Sequence, residues 1–122
     1  FRIEYDADND TIEFFDDGDE PIPGVLALMT PGHTPGHMSF EIANGSQSAL
    51  IVGDALNNHH VAFKRPNWLS GLDQDPEMAA LTRQNLLNRS SSEDMLLIGF
   101  HLPKGGIGRV VQSGKEYSFV NI

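Results

Sequence analysis

The chain has 122 residues and no cysteine, and its 8 Lys and Arg against 17 Asp and Glu give a formal net charge of −9 at pH 7. This charge repels nucleic-acid phosphates and anionic lipid headgroups, and no apolar run approaches the roughly 20 residues that span a bilayer, so neither a nucleic-acid nor a membrane partner is expected. The length suits one hydrophobic core, and the absence of cysteine excludes a disulfide framework, a cysteine zinc site and a thiol nucleophile.

Strand and turn patterns follow one another along most of the chain. The predicted strands cover residues 2–5, 11–15, 24–29, 38–42, 48–52 and 95–100, followed by a hairpin over residues 108–122. The runs at 24–29 and 95–100 are continuously apolar, a pattern typical of strands covered on both faces. Residues 55–74 have no clean periodicity, and we expect a long irregular connection there, of the kind that often carries function.

One helix is predicted after this connection. An Asp-Pro-Glu sequence at residues 75–77 supplies a cap, a proline at the first helical position and an acidic first turn, so the helix should run from residue 76 to about residue 89. Its apolar residues form one broad arc suited to covering a sheet, although Leu81 falls outside that arc and Arg83 within it. The order of elements predicts an α/β fold, α+β-like in layout, with a mostly antiparallel or mixed sheet and this covering helix.

Three metal-competent side chains each follow an apolar strand. His33 lies in the sequence Thr-Pro-Gly-His-Thr-Pro-Gly-His at residues 30–37, Asp54 follows the fifth predicted strand, and His101 follows the sixth. A sheet can bring side chains at strand ends to one point, and two histidines with one aspartate suit a metal such as zinc. The alternative is that each histidine is a hydrogen-bonded structural residue, the commoner role of a single histidine near a strand end.

These residues together resemble the metal-binding segments of the metallo-β-lactamase-fold hydrolases. The octapeptide at residues 30–37 resembles the third metal motif of that superfamily, Gly53-Asp54 its bridging aspartate, and His101 its last histidine. Further residues are similar to the methyl parathion hydrolase-like branch in particular: Asp54, Phe63, Trp68, Asp73, Pro76, Arg83, His101-Leu102-Pro103 and Gly106-Ile107-Gly108. The resemblance covers nearly all of the chain and corresponds to the C-terminal half of an αββα sandwich.

The resemblance implies a dinuclear metal hydrolase. His33 would bind the first of two divalent ions, Asp54 would bridge both and act in catalysis, His101 would bind the second, and His37 would support the ligating turn. The ions, zinc in the first place with manganese or iron as alternatives, would convert a bridging water to hydroxide and polarise the ester, lactone or phosphoester of a small-molecule substrate. The sequence contains no Gly-x-Ser-x-Gly motif and therefore offers no serine nucleophile for such a reaction.

Four residues of the irregular connection are candidates for a substrate pocket. The resemblance places His59 and His60 in a loop that would form one wall of that pocket. Phe63 and Trp68 would line it for an apolar substrate. The structural alternatives are surface histidines for the first two and packing anchors for the aromatic residues.

The sequence departs from the family in the ligands that it lacks. The family takes four ligands from a His-x-His-x-Asp-His motif, and the five histidines of this chain, at positions 33, 37, 59, 60 and 101, do not form it. One terminal ligand for each metal plus the bridge is too few for a stable centre. We therefore expect residues 1–122 to be the C-terminal part of a single domain, inactive on its own and unable to complete a metal site.

An exposed apolar sheet face follows from that expectation. Half of a two-sheet sandwich would leave one face uncovered, and the missing N-terminal half or a second copy of this chain in a homodimer would cover it. The chain begins at Phe1 without an initiator Met, so we expect its natural start to lie upstream. The cytoplasm is the favoured location, and a periplasmic or secreted one stays open.

Two other functions also stay open. The first is a non-catalytic structural or interaction fragment of the same fold, which the missing motif favours. The second is a metal-dependent oxidoreductase that uses iron on this fold. Lys104-Gly105 stands where the phosphotriesterase-like relatives tend to carry an aromatic residue and a proline, which weakens the expectation of a phosphotriester substrate.

Overall fold

The strands and helices follow the predicted order. The computed structural model of the chain describes residues 2–6 and 11–122, so most of the turn that the sequence predicts at residues 6–10, between the first two strands, lies outside the described residues. The elements are β1 Arg2–Asp6, β2 Thr11–Phe15, β3 Val25–Met29, β4 Met38–Asn44, β5 Gln47–Ile51, a 3₁₀-helix Gly53–Leu56, α1 Val61–Lys64, α2 Pro76–Ser92, β6 Leu96–Ile98, β7 Ile107–Ser113 and β8 Glu116–Asn121.

The described strands form two sheets. β1 and β2 pair antiparallel, and the larger sheet has six strands in the order β3-β4-β5-β6-β7-β8. Neighbouring strands of the larger sheet are antiparallel except for β5 and β6, which are parallel and are joined by a crossover that contains both helices. The predicted mixed, mostly antiparallel sheet with a covering helix is therefore confirmed.

Helix α2 begins as predicted and ends three residues later than predicted, at Ser92 instead of residue 89. The Asp75 side chain accepts a hydrogen bond from the Met78 backbone N–H at 3.1 Å and so caps the first turn. Arg89 pairs with Glu41 of β4 at 2.8 Å and with Glu93 at 2.7 Å. These two ion pairs stabilise the last turn of α2. The helical pattern of the sequence does not show such pairs and therefore does not predict this extension.

Leu81 and Arg83, the two exceptions to the apolar arc of α2, lie where the helical spacing places them. Leu81 is 58% exposed, whereas the Arg83 side chain is 5% exposed. Burial of Arg83 is compensated by backbone carbonyl groups, because Nε donates to the Pro66 carbonyl at 2.9 Å and Nη2 to the Trp68 carbonyl at 2.6 Å.

The connection predicted as irregular contains α1, so that part of the prediction was wrong. The Asn58 side chain accepts hydrogen bonds from the His60 and Val61 backbone N–H groups and nucleates this single turn. Ala62 and Phe63 then enter the core. Four residues are too few to show a helical period in a sequence, and packing stabilises the turn.

The main core lies between the large sheet and the helices. Its buried members are Leu50, Val52, Ala55, Leu56, Ala62, Phe63, Leu86, Leu87, Met95, Leu97, Leu102, Val110 and Tyr117. A smaller cluster on the opposite face of the sheet brings Phe15 of β2 against Ala27, Met38 and Phe40.

Several apolar side chains on that opposite face are exposed. They include Ile42 (37% exposed), Ile107 (40%), Val111 (51%) and Val120 (52%), and the strand alternation places these side chains away from the helices. β3 lies at the edge of this sheet with Met29 53% exposed, so the prediction that this strand is covered on both faces was wrong. No helix in the part of the chain that the structure describes is long and apolar enough to cross a membrane.

The core between α2 and the sheet predicts a contrast between two leucines of one helix. Replacing Leu87, which is fully buried, with alanine leaves a cavity and should lower the free energy of unfolding by about 2–5 kcal/mol. The matched change Leu81→Ala removes an exposed side chain and should alter it by less than about 0.5 kcal/mol. Urea unfolding of both variants measures the difference, and equal losses would contradict the packing described.

Candidate metal centre

Three strand ends bring His33, Asp54 and His101 to one edge of the sheet. β5 and β6 are parallel, and the Val52 backbone N–H extends their pairing by donating to the Ile98 carbonyl at 3.0 Å. β3 runs in the same direction as β5, since each is antiparallel to β4. The carboxyl ends of all three strands therefore lie at the same edge, and the predicted residues follow them.

The Asp54 carboxylate lies between the two histidines. His101 Nε2 is 2.9 Å from Asp54 Oδ1, and His33 Nε2 is 3.7 Å from Asp54 Oδ2. The three side chains are 37%, 25% and 39% exposed for His101, His33 and Asp54, so the site is open to a ligand. Each imidazole faces a different oxygen of this carboxylate.

His37 lies beneath this group and contacts the Asp54 backbone. Its Nε2 accepts a hydrogen bond from the Asp54 N–H at 3.1 Å, so its Nδ1 carries the proton and donates to Thr30 Oγ1 at 2.8 Å. Thr30 Oγ1 is in turn 2.8 Å from Ser39 Oγ. Both ring nitrogens of His37 thus take part in a buried network that fixes the position of Asp54.

Glycine is favoured at position 53 because the backbone there passes close to the His37 ring. Its φ is +51°, a left-handed conformation that side chains disfavour, and a Cβ built there would lie 3.0 Å from His37 Nε2. A larger residue at position 53 would push His37 away from the Asp54 backbone.

Two further residues of the site, Asp73 and Arg83, were not assigned a role by the sequence analysis. Asp73 Oδ1 is 3.0 Å from His33 Nδ1, and Arg83 Nη1 is 3.9 Å from Asp73 Oδ2. Burial lowers the pKa of the Arg83 guanidinium, and the neighbouring Asp73 carboxylate raises it. The sequence feature that could have pointed to a partner such as Asp73 is Arg83, because a cation on the buried face of a helix requires a buried partner.

The four predicted pocket residues do not form one pocket. Trp68 lines a cleft of about 220 Å³ together with Asn57, Val61, Leu69 and Leu72, among others. Phe63 is 1% exposed and packs edge-on against Phe119 at 6.0 Å in the main core. This position corrects the pocket interpretation of Phe63 in favour of the packing alternative.

His59 and His60 stack on each other, with ring centroids 3.8 Å apart, and neither lines the Trp68 cleft. A second cleft, of about 260 Å³, lies beside Asp54. His37, Met38, Phe40, Ile51, Gly53 and Phe100 complete its lining.

The side chains of His33, Asp54 and His101 carry donor atoms of the types that bind divalent metals. Imidazole nitrogen and carboxylate oxygen are ordinary zinc ligands, and His33 has its other ring nitrogen held by a carboxylate, as metal-binding histidines usually do. Within residues 2–6 and 11–122, no three His, Cys, Asp or Glu side chains are arranged to hold a metal ion by themselves. A complete centre would need ligands in addition to His33, Asp54 and His101.

Comparison with known proteins gives consistent results. Residues 2–101 match the family model described as the metallo-beta-lactamase superfamily. The hydrolase AbOPH, of the beta lactamase superfamily, has a TM-score of 0.82 and 32% sequence identity, covering 88% of this chain and 37% of that chain. An N-acyl homoserine lactone hydrolase with N-hexanoyl-L-homoserine bound at its catalytic metal centre has a TM-score of 0.59 and 26% identity, covering 86% and 40%.

A shorter match is to the uncharacterized protein YobT of Bacillus subtilis (strain 168), with 55% identity over 40 residues, which is 32% of this chain and 16% of YobT. This chain spans about two fifths of the length of the two solved structures. Because the family model matches residues 2–101, the chain belongs to the metallo-β-lactamase superfamily.

Proposed function

We propose that this chain is the C-terminal part of a longer metal-dependent hydrolase that cleaves an ester, lactone or phosphoester. The observation that carries the proposal is the placement of His33 and His101 against different oxygens of one carboxylate, Asp54. A single structural histidine at a strand end does not account for two imidazoles that converge on one open carboxylate. The lactone hydrolase among the relatives, at 26% identity, supports a lactone or ester as the first substrates to assay.

The exposed apolar face of the sheet supports the longer domain. Ile42, Ile107, Val111 and Val120 form a surface of the kind that a second sheet covers in a sandwich. The length of the solved relatives leaves room for that second sheet, since this chain spans 37% of one of them. The same additional part would supply the ligands that the described residues lack.

In the proposed centre, His33 would bind one divalent ion, His101 a second, and Asp54 both. Zinc bound there would lower the pKa of coordinated water and polarise the oxygen of the bond to be cleaved. The Asp54 backbone N–H donates a hydrogen bond to His37 Nε2 at 3.1 Å, and this contact would hold the Asp54 carboxylate in place. His33 and His101 would bind through Nε2 from two sides of Asp54, His101 after losing the Nε2 proton that it donates to Asp54 Oδ1 at 2.9 Å, and the 25–39% exposure of the three side chains leaves access for a small molecule.

Membership of the methyl parathion hydrolase-like branch is the finer part of the proposal. Three of the residues that carry that resemblance are close in space here: Trp68, Asp73 and Arg83 form one group through the Arg83 side chain, and Asp73 contacts His33. Lys104 departs from the pattern of phosphotriesterase-like relatives, so lactones and aryl esters precede phosphotriesters in the assay order.

The complete protein that contains this chain should bind close to two metal ions and hydrolyse at least one of these substrate classes. His33→Ala, Asp54→Asn and His101→Ala should each lower kcat/KM by more than about 100-fold, because each removes a donor to the metal. Elemental analysis gives the metal content and identity, and hydrolysis of lactone, aryl ester and phosphotriester panels gives the activity.

Asp94→Asn is the matched control, since Asp94 is an exposed carboxylate paired with Arg109 at 3.0 Å and loses the same charge. Its activity should equal that of the unmodified protein. A complete protein without bound metal and without activity would instead support the non-catalytic alternative, which the lack of a three-residue metal group among the described residues favours.

We also propose that Trp68 lines the substrate pocket, because it is 57% exposed and lines the Trp68 cleft. Trp68→Ala should raise KM by roughly tenfold with little change in kcat, as loss of an apolar contact made equally in the ground and transition states predicts. Steady-state kinetics on the best substrate measure this, with Leu81→Ala as the control. An unchanged KM would show that Trp68 is a surface residue without contact to substrate.

The role proposed for His37 is tested through Gly53. Gly53→Ala and Gly45→Ala both force a side chain into a left-handed conformation, which costs about 1 kcal/mol, but only position 53 has a neighbour within reach of the new Cβ. Gly53→Ala should cost about 1–2 kcal/mol more than Gly45→Ala, because the His37 hydrogen bond to Asp54 is displaced. Urea unfolding measures both, and equal costs would contradict the contact.

A further inference from the structure

We propose that Asp73, held by Arg83, is a positioning residue that sets the orientation of the His33 ring for metal binding. This inference deepens the proposed function and rests on it. It concerns a carboxylate that contacts the His33 imidazole from the side opposite Asp54.

The His33 ring is held between two carboxylates. Its Nδ1 lies 3.0 Å from Asp73 Oδ1, and its Nε2 faces Asp54 Oδ2 at 3.7 Å. An ionised carboxylate only accepts hydrogen bonds, so Nδ1 carries the proton and Nε2 keeps its lone pair. The Asp73 contact therefore selects the tautomer that directs a ligating nitrogen toward Asp54.

Arg83 fixes Asp73 from within the protein. Its Nε and Nη2 donate to the Pro66 and Trp68 carbonyls at 2.9 and 2.6 Å, which leaves Nη1 facing Asp73 Oδ2 at 3.9 Å. The Asp73 and Arg83 side chains are 2% and 5% exposed. The guanidinium thus supplies the positive charge that a buried carboxylate needs, from a position that two carbonyl groups determine.

The backbone around His33 is bound to the same elements. The Gln74 N–H donates to the His33 carbonyl at 3.2 Å, and the Asp75 N–H donates to the Gly32 carbonyl at 2.9 Å. Gly32 lies so close to α2 that a Cβ there would be 2.3 Å from the Ala79 backbone. The His33 turn and the Asp73 segment therefore form one rigid unit on the first turns of α2.

The contacts of Asp73 indicate a role beyond packing. In the part of the chain that the structure describes, Asp73 Oδ2 accepts no hydrogen bond, while Oδ1 is directed to His33. Burying a carboxylate with one oxygen unsatisfied costs stability, so an apolar residue would serve a purely structural purpose better. The geometry instead favours the orientation of His33.

The test uses the complete protein and zinc alone as the probe. Asp73→Asn removes the charge and keeps the size of the side chain, and it should weaken zinc binding by roughly 10- to 100-fold, the usual effect of losing the carboxylate partner of a metal-binding histidine. Competition with a chromophoric chelator gives the affinity, and the visible spectrum of the cobalt-substituted protein reports the coordination geometry. Asp94→Asn is the charge-matched control and should leave both readouts unchanged.

Zinc affinity and a cobalt spectrum in Asp73→Asn equal to those of the unmodified protein would overturn the positioning role and leave the proposed function intact. An unmodified complete protein that binds no metal would overturn the proposed function and this inference with it. The two failures are therefore distinguishable from one set of titrations.

A second measurement needs no substitution at Asp73. Nitrogen-15 NMR of histidine-labelled, metal-free complete protein reports which ring nitrogen of His33 carries the proton, with the signal assigned by its loss in His33→Ala. We expect the proton on Nδ1, where Asp73 accepts it. A proton on Nε2 would overturn the proposal even if Asp73→Asn fails to fold.

Discussion

β5 and β6 pair in parallel, and this pairing brings the carboxyl ends of both strands to the same edge of the sheet. Asp54 and His101 follow those ends, and their side chains meet at 2.9 Å. An antiparallel pairing of these strands would place the two residues at opposite edges, about the length of a strand apart. The crossover that a parallel pair requires also contains α2, which carries the support for His33. The site and its scaffold therefore follow from one feature of the topology.

The Thr30–His37 turn serves both halves of the site. Its own hydrogen bond from the Thr30 N–H to the His37 carbonyl, at 3.0 Å, closes the turn, so its two histidines keep fixed positions relative to each other. His33 faces the Asp54 carboxylate, while His37 holds the Asp54 backbone. One turn thus places both a candidate metal ligand and the residue that supports Asp54. The rings of these two histidines are 6.3 Å apart and perpendicular, which separates the two roles in space.

The sequence predicted the succession of strands along the chain and the convergence of His33, Asp54 and His101, because strand ends and apolar runs are local patterns. It did not separate Phe63 from Trp68, since an aromatic residue in a segment without periodicity carries no sign of which surface it faces. The sequence assigned no role to Asp73 for a different reason: its partner His33 lies 40 positions earlier, and only the tertiary fold brings the two together. The extension of α2 to Ser92 likewise depends on a tertiary ion pair, between Arg89 and Glu41.

The buried Asp73–Arg83 pair also bears on the choice between an enzyme and a non-catalytic fragment. Burying two charges carries a desolvation cost that can exceed their attraction, here at 3.9 Å, and a well-packed apolar pair is often the more stable arrangement. A fragment that served only as a scaffold would gain nothing from this arrangement. A metal ligand gains a fixed ring, because a carboxylate on Nδ1 restricts the orientation and the tautomer of the imidazole. The energetic cost at Asp73 therefore agrees with the positioning role proposed for it at His33.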